Sequence, residues 1–459
     1  MKLALAQRPL EPRGMVEAGL CIGCGACVAG GNGRMAFDRY GQLQPQDAAR
    51  PKDFEKLCPF SPFAADEDTI AGKRFAAASR RDSRVGHFEA AYVGHVAEGT
   101  YRAQGSSGGM VTWVAGELLA RGLVDGVAHV AATGPQPDGG FFGYRISRSL
   151  EELQAGAKSR YHPIELSGVI DAIRAEPGRY AVVGIPCFIK AVHLLRAADE
   201  VLADRIVFTL GLFCGHMKSL RMVESFAWQM GVPLDAVAGL DYRLKIPDRP
   251  ANWYRAHLML EDGGTVARDW WHLADGDWGA GFFQNPACNF CDDVTAETAD
   301  IAFGDAWVEP YASDGNGTNV VIARSPVLNE IVHDGLAQGR LALKPVDAEF
   351  VAATQAAGLR HRREGLAYRL TWSRGGIRPI KRVAPDRHGH TLRRKLIYRM
   401  RAGIAFWSHR VFWLARLTGQ PRLYIAWARA ALRLYQALTY SRGRLGRFID
   451  GLGLAGRDG

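Results

Sequence analysis

The chain has 459 residues, 47% of them hydrophobic and 23% charged, with no low-complexity stretch. That is room for two to four domains with ample core, and it excludes a disordered or fibrous polymer. The formal net charge of +10 is local: from Thr391 onward 14 Lys/Arg stand against Asp450 and Asp458, which leaves about −2 for the rest, an ordinary enzyme surface.

No segment pairs a positive n-region with an apolar h-region, and no charge-free apolar run reaches the roughly 18 residues of a spanning helix. A cytoplasmic protein is therefore expected, with peripheral contact on the inner membrane face as an option through the basic tail. Eight cysteines without a secretory signal point to a reducing compartment, where thiols ligate metal rather than form disulfides.

Residues 1–75 read as a small module. Cys21, Cys24 and Cys27 stand two residues apart, a short hairpin is expected over 34–43, and Cys58 follows in a Cys-Pro step. Residues 66–84, rich in charge and alanine, read as a connector. From residue 91 short apolar runs alternate with helical spacing: strands are expected at 92–96, 126–130, 181–184, 206–210, 300–303 and 320–322. Helices are expected at 110–121, 166–174, 189–196 and 220–231. A hairpin over 253–260 and 264–269 makes the sheet mixed, so the chain is α/β.

The last segment reads as helical over 392–438. Leu396, Met400, Ile404, Trp407, Val411 and Leu414 recur at three and four residues, ringed by arginines. Such a helix suits an anionic membrane face or a docking partner, or it packs on its own protein and shows a solvated basic face. No nucleic-acid-reading motif accompanies the charge, so nucleic acid is not an expected partner.

The cysteines divide four and four: Cys21, Cys24, Cys27 and Cys58, then Cys187, Cys214, Cys288 and Cys291. A cubane 4Fe–4S cluster takes one thiolate per iron, so two clusters need this number. Zinc usually draws Cys-x2-Cys pairs rather than a triplet. In the second set Cys187 and Cys214 each follow an expected strand, at the carboxyl edge where α/β folds bind ligands.

Ser106, Ser107, Gly108 and Gly109 run straight into the expected helix that carries Thr112. Glycines let backbone amides converge there, which forms a phosphate cradle suited to a dinucleotide such as FAD. Many such loops only turn the chain. Lys158, Ser159, Arg160 and Tyr161 combine two cations, a hydroxyl and an aromatic ring, either a pyrophosphate clamp or an exposed basic turn. Asp305 follows Gly304 at an expected strand end, near a flavin or a cluster loop, or simply stabilising a turn.

Over roughly residues 15–330 this ordered series resembles the beta-subunit family of coenzyme F420 hydrogenases and dehydrogenases. The resemblance rests on the cysteine triplet, Ser106 to Gly109, Lys158 to Tyr161, Gly184 to Cys187, Cys214, the Cys288/Cys291 pair and Gly304-Asp305. Together with the residue reading it makes the expected fold an α/β core with a mixed sheet and an N-terminal ferredoxin-like 4Fe–4S module, while the basic helical tail lies beyond the part of the chain the resemblance covers. The segments expected are 1–75 for that module, 85–165 for the flavin-binding part, 166–370 for the part with the second cluster, and 385–459 for the tail.

The function implied is an FAD-dependent oxidoreductase with two 4Fe–4S clusters. It would pass electrons between a donor, ferredoxin or reduced coenzyme F420-like, and an unidentified substrate. The alternative is an electron-transfer subunit that docks to a catalytic partner, with a link to polysaccharide synthesis among similar bacterial chains. A zinc protein without a redox role is the third reading. The chain departs from the family pattern in two places: a second cysteine triplet is missing, and Cys58 must return across 30 intervening residues to close the first site.

Overall fold

Apolar β-rich runs bounded by glycine or proline pair into one eight-stranded sheet, seen in a computed structural model that describes residues 10–372 and 376–452. The outer ends of the expected first and last segments, residues 1–9 and 453–459, lie outside the described residues. From edge to edge the strands are Leu341–Val346, Ala90–Val96, Asn319–Ala323, Ile301–Asp305, Ile206–Leu212, Tyr180–Gly184, Gly126–Ala132 and Phe142–Ser147. The four from Ile301–Asp305 to Gly126–Ala132 are parallel, and antiparallel strands flank them on both sides.

Every residue of Tyr180–Gly184 and Asn319–Ala323 is buried, which is why these strands read as unbroken apolar runs. The two edge strands had escaped the sequence reading. Phe142–Ser147 and Leu341–Val346 each present only part of their length to the core, so their apolar signal is diluted by solvent-facing residues. The hairpin expected at 253–269 forms as Arg255–Leu260 and Thr265–Asp269. It lies outside the main sheet, in a three-stranded sheet completed by Val237–Asp241.

Within residues 10–60 the structure contains a short helix, Pro12–Glu17, the cysteine loop, the hairpin Arg34–Phe37 with Leu43–Gln46, and the turn Phe54–Leu57. Met15, Leu20, Ile22, Phe54 and Phe60 pack in the same core as Ile170, Val182, Phe188 and Ile206. The supposed connector after them is anchored. Asp66 caps helix Glu67–Arg74 by accepting from the Thr69 N–H, and Glu67 pairs with buried Lys190 at 3.2 Å.

The tail forms helices Leu392–Leu417, Pro421–Tyr440 and Gly443–Gly451. The stripe expected on the first of these points inward only in part. Ile404 is buried, whereas Leu396, Trp407 and Leu414 are 38%, 54% and 43% exposed. The inward face is instead Ile397, Ile404, Ala405, Ser408, His409, Phe412 and Ala415. Phe412 stacks on Trp228 with ring centroids 4.4 Å apart, and Tyr424 stacks on Phe283 at 5.4 Å. Both neighbours come from the body of the protein, so a helix apolar on two sides buries the side that meets aromatic rings.

Candidate functional site

The carboxyl edge of the parallel strands gathers several of the residues singled out from the sequence, where the crevice rule for α/β sheets expects ligands. Strand Tyr180–Gly184 leads into helix Pro186–Ala198, which begins with Cys187, and strand Ile206–Leu212 leads to Cys214. Asp305 ends its own strand. Strand Ala90–Val96 feeds the loop containing Ser106 to Gly109.

All eight cysteines are free thiols. Cys21, Cys24, Cys27 and Cys58 line one small pocket with Met15, Ile22, Met35, Phe54 and Phe60. Cys58 therefore does return to the triplet. Burial, and after it the nearby Cys58 sulfur, pushes the Cys21 thiol up to about 12 and also lifts Cys24 well above its ordinary range. Gathered buried thiols that resist ionisation together are what a cationic metal group reverses.

Cys187, Cys214, Cys288 and Cys291 form the second group. Burial raises the Cys187 thiol first, and Cys291, Cys214 and Cys288 add to it. The backbone N–H of Met217 donates to Cys288 Sγ at 3.3 Å. Cys24 also raises Cys187, and the two lie in one apolar core, so the cysteine groups are neighbours. Among the described residues no group of three or more His, Cys, Asp or Glu converges as for a single metal ion. A cubane spreads its thiolates over four irons, so its ligands need no single focal point.

The sequence reading missed the cations around these thiols. Lys381 is buried and pulls down the pKa of both Cys58 and Cys291 against the larger effect of burial. Arg362 is buried beside the second group and donates through Nη2 to the carbonyl oxygens of Cys214 and Gly215. In the sequence Arg362 stands in His361-Arg362-Arg363, which reads as an exposed basic turn. Nothing local marks it as buried.

The nucleotide motifs meet as well. The Ser159 N–H donates to Ser106 Oγ at 2.8 Å, joining the two loops. Lys158 adopts φ +129°, where a residue with a Cβ is strained, and its Nζ reaches Asp241 at 3.1 Å. Arg160 is largely buried, lies over the Phe142 ring at 4.8 Å and leaves its Nε without a partner. Tyr161 stacks parallel to Tyr254 at 6.3 Å and approaches Trp278 at 4.7 Å.

Asp305 receives hydrogen bonds from Arg243, the nearer at 3.0 Å, and the Arg243 guanidinium lies 4.3 Å from the Tyr254 ring centroid. Ser106, Arg243, Lys245, Trp253 and Tyr254 line an open, shallow cleft. Arg243 and Lys245 were not singled out from the sequence. Their spacing of two in Tyr242-Arg243-Leu244-Lys245 was the available signal.

Part of the glycine loop has a packing reason of its own. A Cβ on Gly108 would come within 2.8 Å of the Gly94 carbonyl oxygen, and Gly109 has φ +85°. Asn319 Oδ1 already accepts from the Met110 N–H at 3.2 Å, and Ser107 Oγ donates to the Thr318 carbonyl oxygen. Ser106 is therefore the loop residue that reaches the cleft, while Thr112 sits half-buried in helix Met110–Ala120.

Two profiles of one family, coenzyme F420 hydrogenase/dehydrogenase beta subunit, match in sequence order. Residues 91–171 match its N-terminal profile, and residues 178–349 match its C-terminal profile. The chain belongs to the coenzyme F420 hydrogenase/dehydrogenase beta-subunit family.

Within it, the chain is 22% identical over 307 residues to a coenzyme F420-dependent sulfite reductase from Methanocaldococcus jannaschii. That match takes in 63% of this chain but only 43% of the relative. The fold resembles a chain from the F420-reducing [NiFe] hydrogenase complex of Methanosarcina barkeri, with TM-score 0.50 and 19% identity. The likeness covers 65% of this chain and 99% of the other. The tail helices from Leu392 onward lie beyond both family profiles.

Proposed function

We propose that this member of the F420 beta-subunit family is a flavin- and iron–sulfur-dependent oxidoreductase. It passes electrons between a ferredoxin-like or reduced deazaflavin donor and a second redox partner. One observation carries the reading: the cysteines fall into two groups of four, and members of both, Cys24 with Cys27 and Cys58, and Cys187 with Cys288 and Cys291, pack in one apolar core.

Cys21, Cys24, Cys27 and Cys58 would hold one 4Fe–4S cluster in the ferredoxin-like segment, and Cys187, Cys214, Cys288 and Cys291 the other. Ser106 to Gly109 with Thr112, Lys158 to Tyr161 and Asp305 would surround FAD. When bound, the flavin exchanges two electrons with one partner and single electrons with the clusters. The chain's own residues do the positioning. Arg243, fixed by Asp305, and Lys245 set positive charge where phosphate oxygens would lie. Tyr161 and Tyr254 offer a flat apolar wall that excludes water.

The test is anaerobic purification, with iron counted per chain and flavin identified after release. About eight irons with FAD support the proposal. About four irons remove one cluster from it, and a colourless zinc protein overturns it.

A second reading is that the chain is a relay subunit that turns over only in a complex. The outward face of helix Leu392–Leu417 favours it, since Leu392, Leu396, Phe406, Trp407, Leu414 and Leu417 are all exposed. Among the described residues no helix is long and apolar enough to cross a membrane. A partner subunit therefore fits that face, with an anionic membrane surface as the competing occupant. Turnover of a deazaflavin or ferredoxin by the isolated chain would favour the stand-alone enzyme, and turnover only with a partner the relay.

A further inference from the structure

Arg362 ends helix Ala356–Arg362 and is 1% exposed. Its Nη2 is held by the carbonyl oxygens of Cys214 at 2.9 Å and Gly215 at 2.7 Å. Its Nε and Nη1 are buried without a hydrogen-bond partner, and no carboxylate among the described residues pairs with it. A buried cation with idle donors is costly unless an anion completes it.

The surroundings repeat the deficit. His216 and His361 each bury an Nε2 atom without a partner, and His361 feels Arg401 and Arg369 as well as Arg362.

We propose that Arg362 is the fixed counter-charge of the second cluster, a positioning residue that favours its reduced, more negative state. The inference rests on the two-cluster reading above. The step concerned is a one-electron transfer from a reduced flavin or the neighbouring cluster, with no bond made or broken and no proton moved. Net charge and hydrogen bonding are the levers by which a protein sets a cluster's potential, and a permanent cation held against the Cys214–Gly215 backbone acts through the first.

The experiment is a mediated dithionite titration of the anaerobic holoprotein, followed by electron paramagnetic resonance, for wild type, Arg362→Gln and Arg362→Lys. In Arg362→Gln the second cluster should become at least tenfold harder to reduce at a given potential, a shift of about 59 mV for one electron. The first cluster should not move, and Arg362→Lys should restore most of the shift. If Arg362→Gln drops to about four irons while Arg362→Lys keeps about eight, the counter-charge role is supported by retention of iron.

Full iron with an unmoved potential in Arg362→Gln would overturn the proposal alone. Loss of the second cluster in both variants would do the same, since charge would then not be the property needed. A wild-type protein with about four irons would overturn the two-cluster reading and this inference with it.

Discussion

The backbone N–H of Ser159 donates to Ser106 Oγ at 2.8 Å, across 53 residues of sequence. This bond ties the loop after strand Ala90–Val96 to the Lys158–Tyr161 segment, and the cleft opens beside it. Ser106→Ala should weaken flavin binding by up to about tenfold, the usual value of one hydrogen bond, and leave iron per chain unchanged. Flavin released from equal amounts of purified protein measures the effect. Unchanged flavin content would show that the cleft is not its site.

Lys245 points the same test at pH. Burial, followed by Lys158, Arg102 and Arg243, lowers its pKa to about 8. Its Nζ donates to the carbonyl oxygens of Arg102 at 2.5 Å, Ser107 at 3.0 Å and Asn316 at 2.7 Å, so it acts on a ligand through its charge. Below pH 8 the ammonium attracts a phosphate-bearing ligand, and above it the attraction is lost. Affinity for a dinucleotide should fall as pH rises from 7 to 9, and Lys245→Met should flatten that profile. Equilibrium dialysis across the range decides between the two outcomes.

Acid stability should depend on buried histidines. Burial holds His129 and His409 at about 4, below the 6.5 of a free imidazole. Between those values the unfolded chain binds more protons, so stability is present above pH 6.5 and is lost as pH falls toward 4. Each group can contribute a loss of up to about 3 kcal/mol. His409 Nδ1 donates to the Ala405 carbonyl oxygen and Nε2 accepts from Gln42 at 2.8 Å, so its loss would loosen the tail from the hairpin loop. Urea midpoints at pH 7 and pH 4.5 should differ less in His129→Gln than in wild type.

Two aromatic residues of the tail should behave oppositely. Phe412 is fully buried against Trp228 and Tyr424, so Phe412→Ala should cost about 3–5 kcal/mol of stability. Trp407 is 54% exposed, and Trp407→Ser should change stability by no more than about 0.5 kcal/mol. If the outward face docks a partner subunit, the second variant should lose co-purifying partner while keeping its iron. Removing the whole tail would instead strip aromatic partners from Phe283 and Trp228, so truncation cannot separate docking from folding.

Sequence alone determined the parts whose signal is local. The cysteine triplet, the apolar runs that became the central strands and the serine–glycine loop before helix Met110–Ala120 are all legible because period, spacing and residue type act over a few positions. The edge strands were not, because the alternation of Phe142, Tyr144 and Ile146, and of Leu341 and Leu343, is short and only partly buried.

Only the tertiary structure decided which contacts cross the chain. It brought Cys58 to the triplet, set Cys24 beside Cys187, buried Arg362 under the second cysteine group, and turned Trp407 outward while Phe412 turned in. Arg362 and Arg363 look alike as residues in a basic run. Whether a guanidinium faces water or the Cys214–Gly215 backbone depends on where helix Ala356–Arg362 lands against the end of strand Ile206–Leu212. That placement is settled by packing between segments nearly 150 residues apart, and no local rule encodes it.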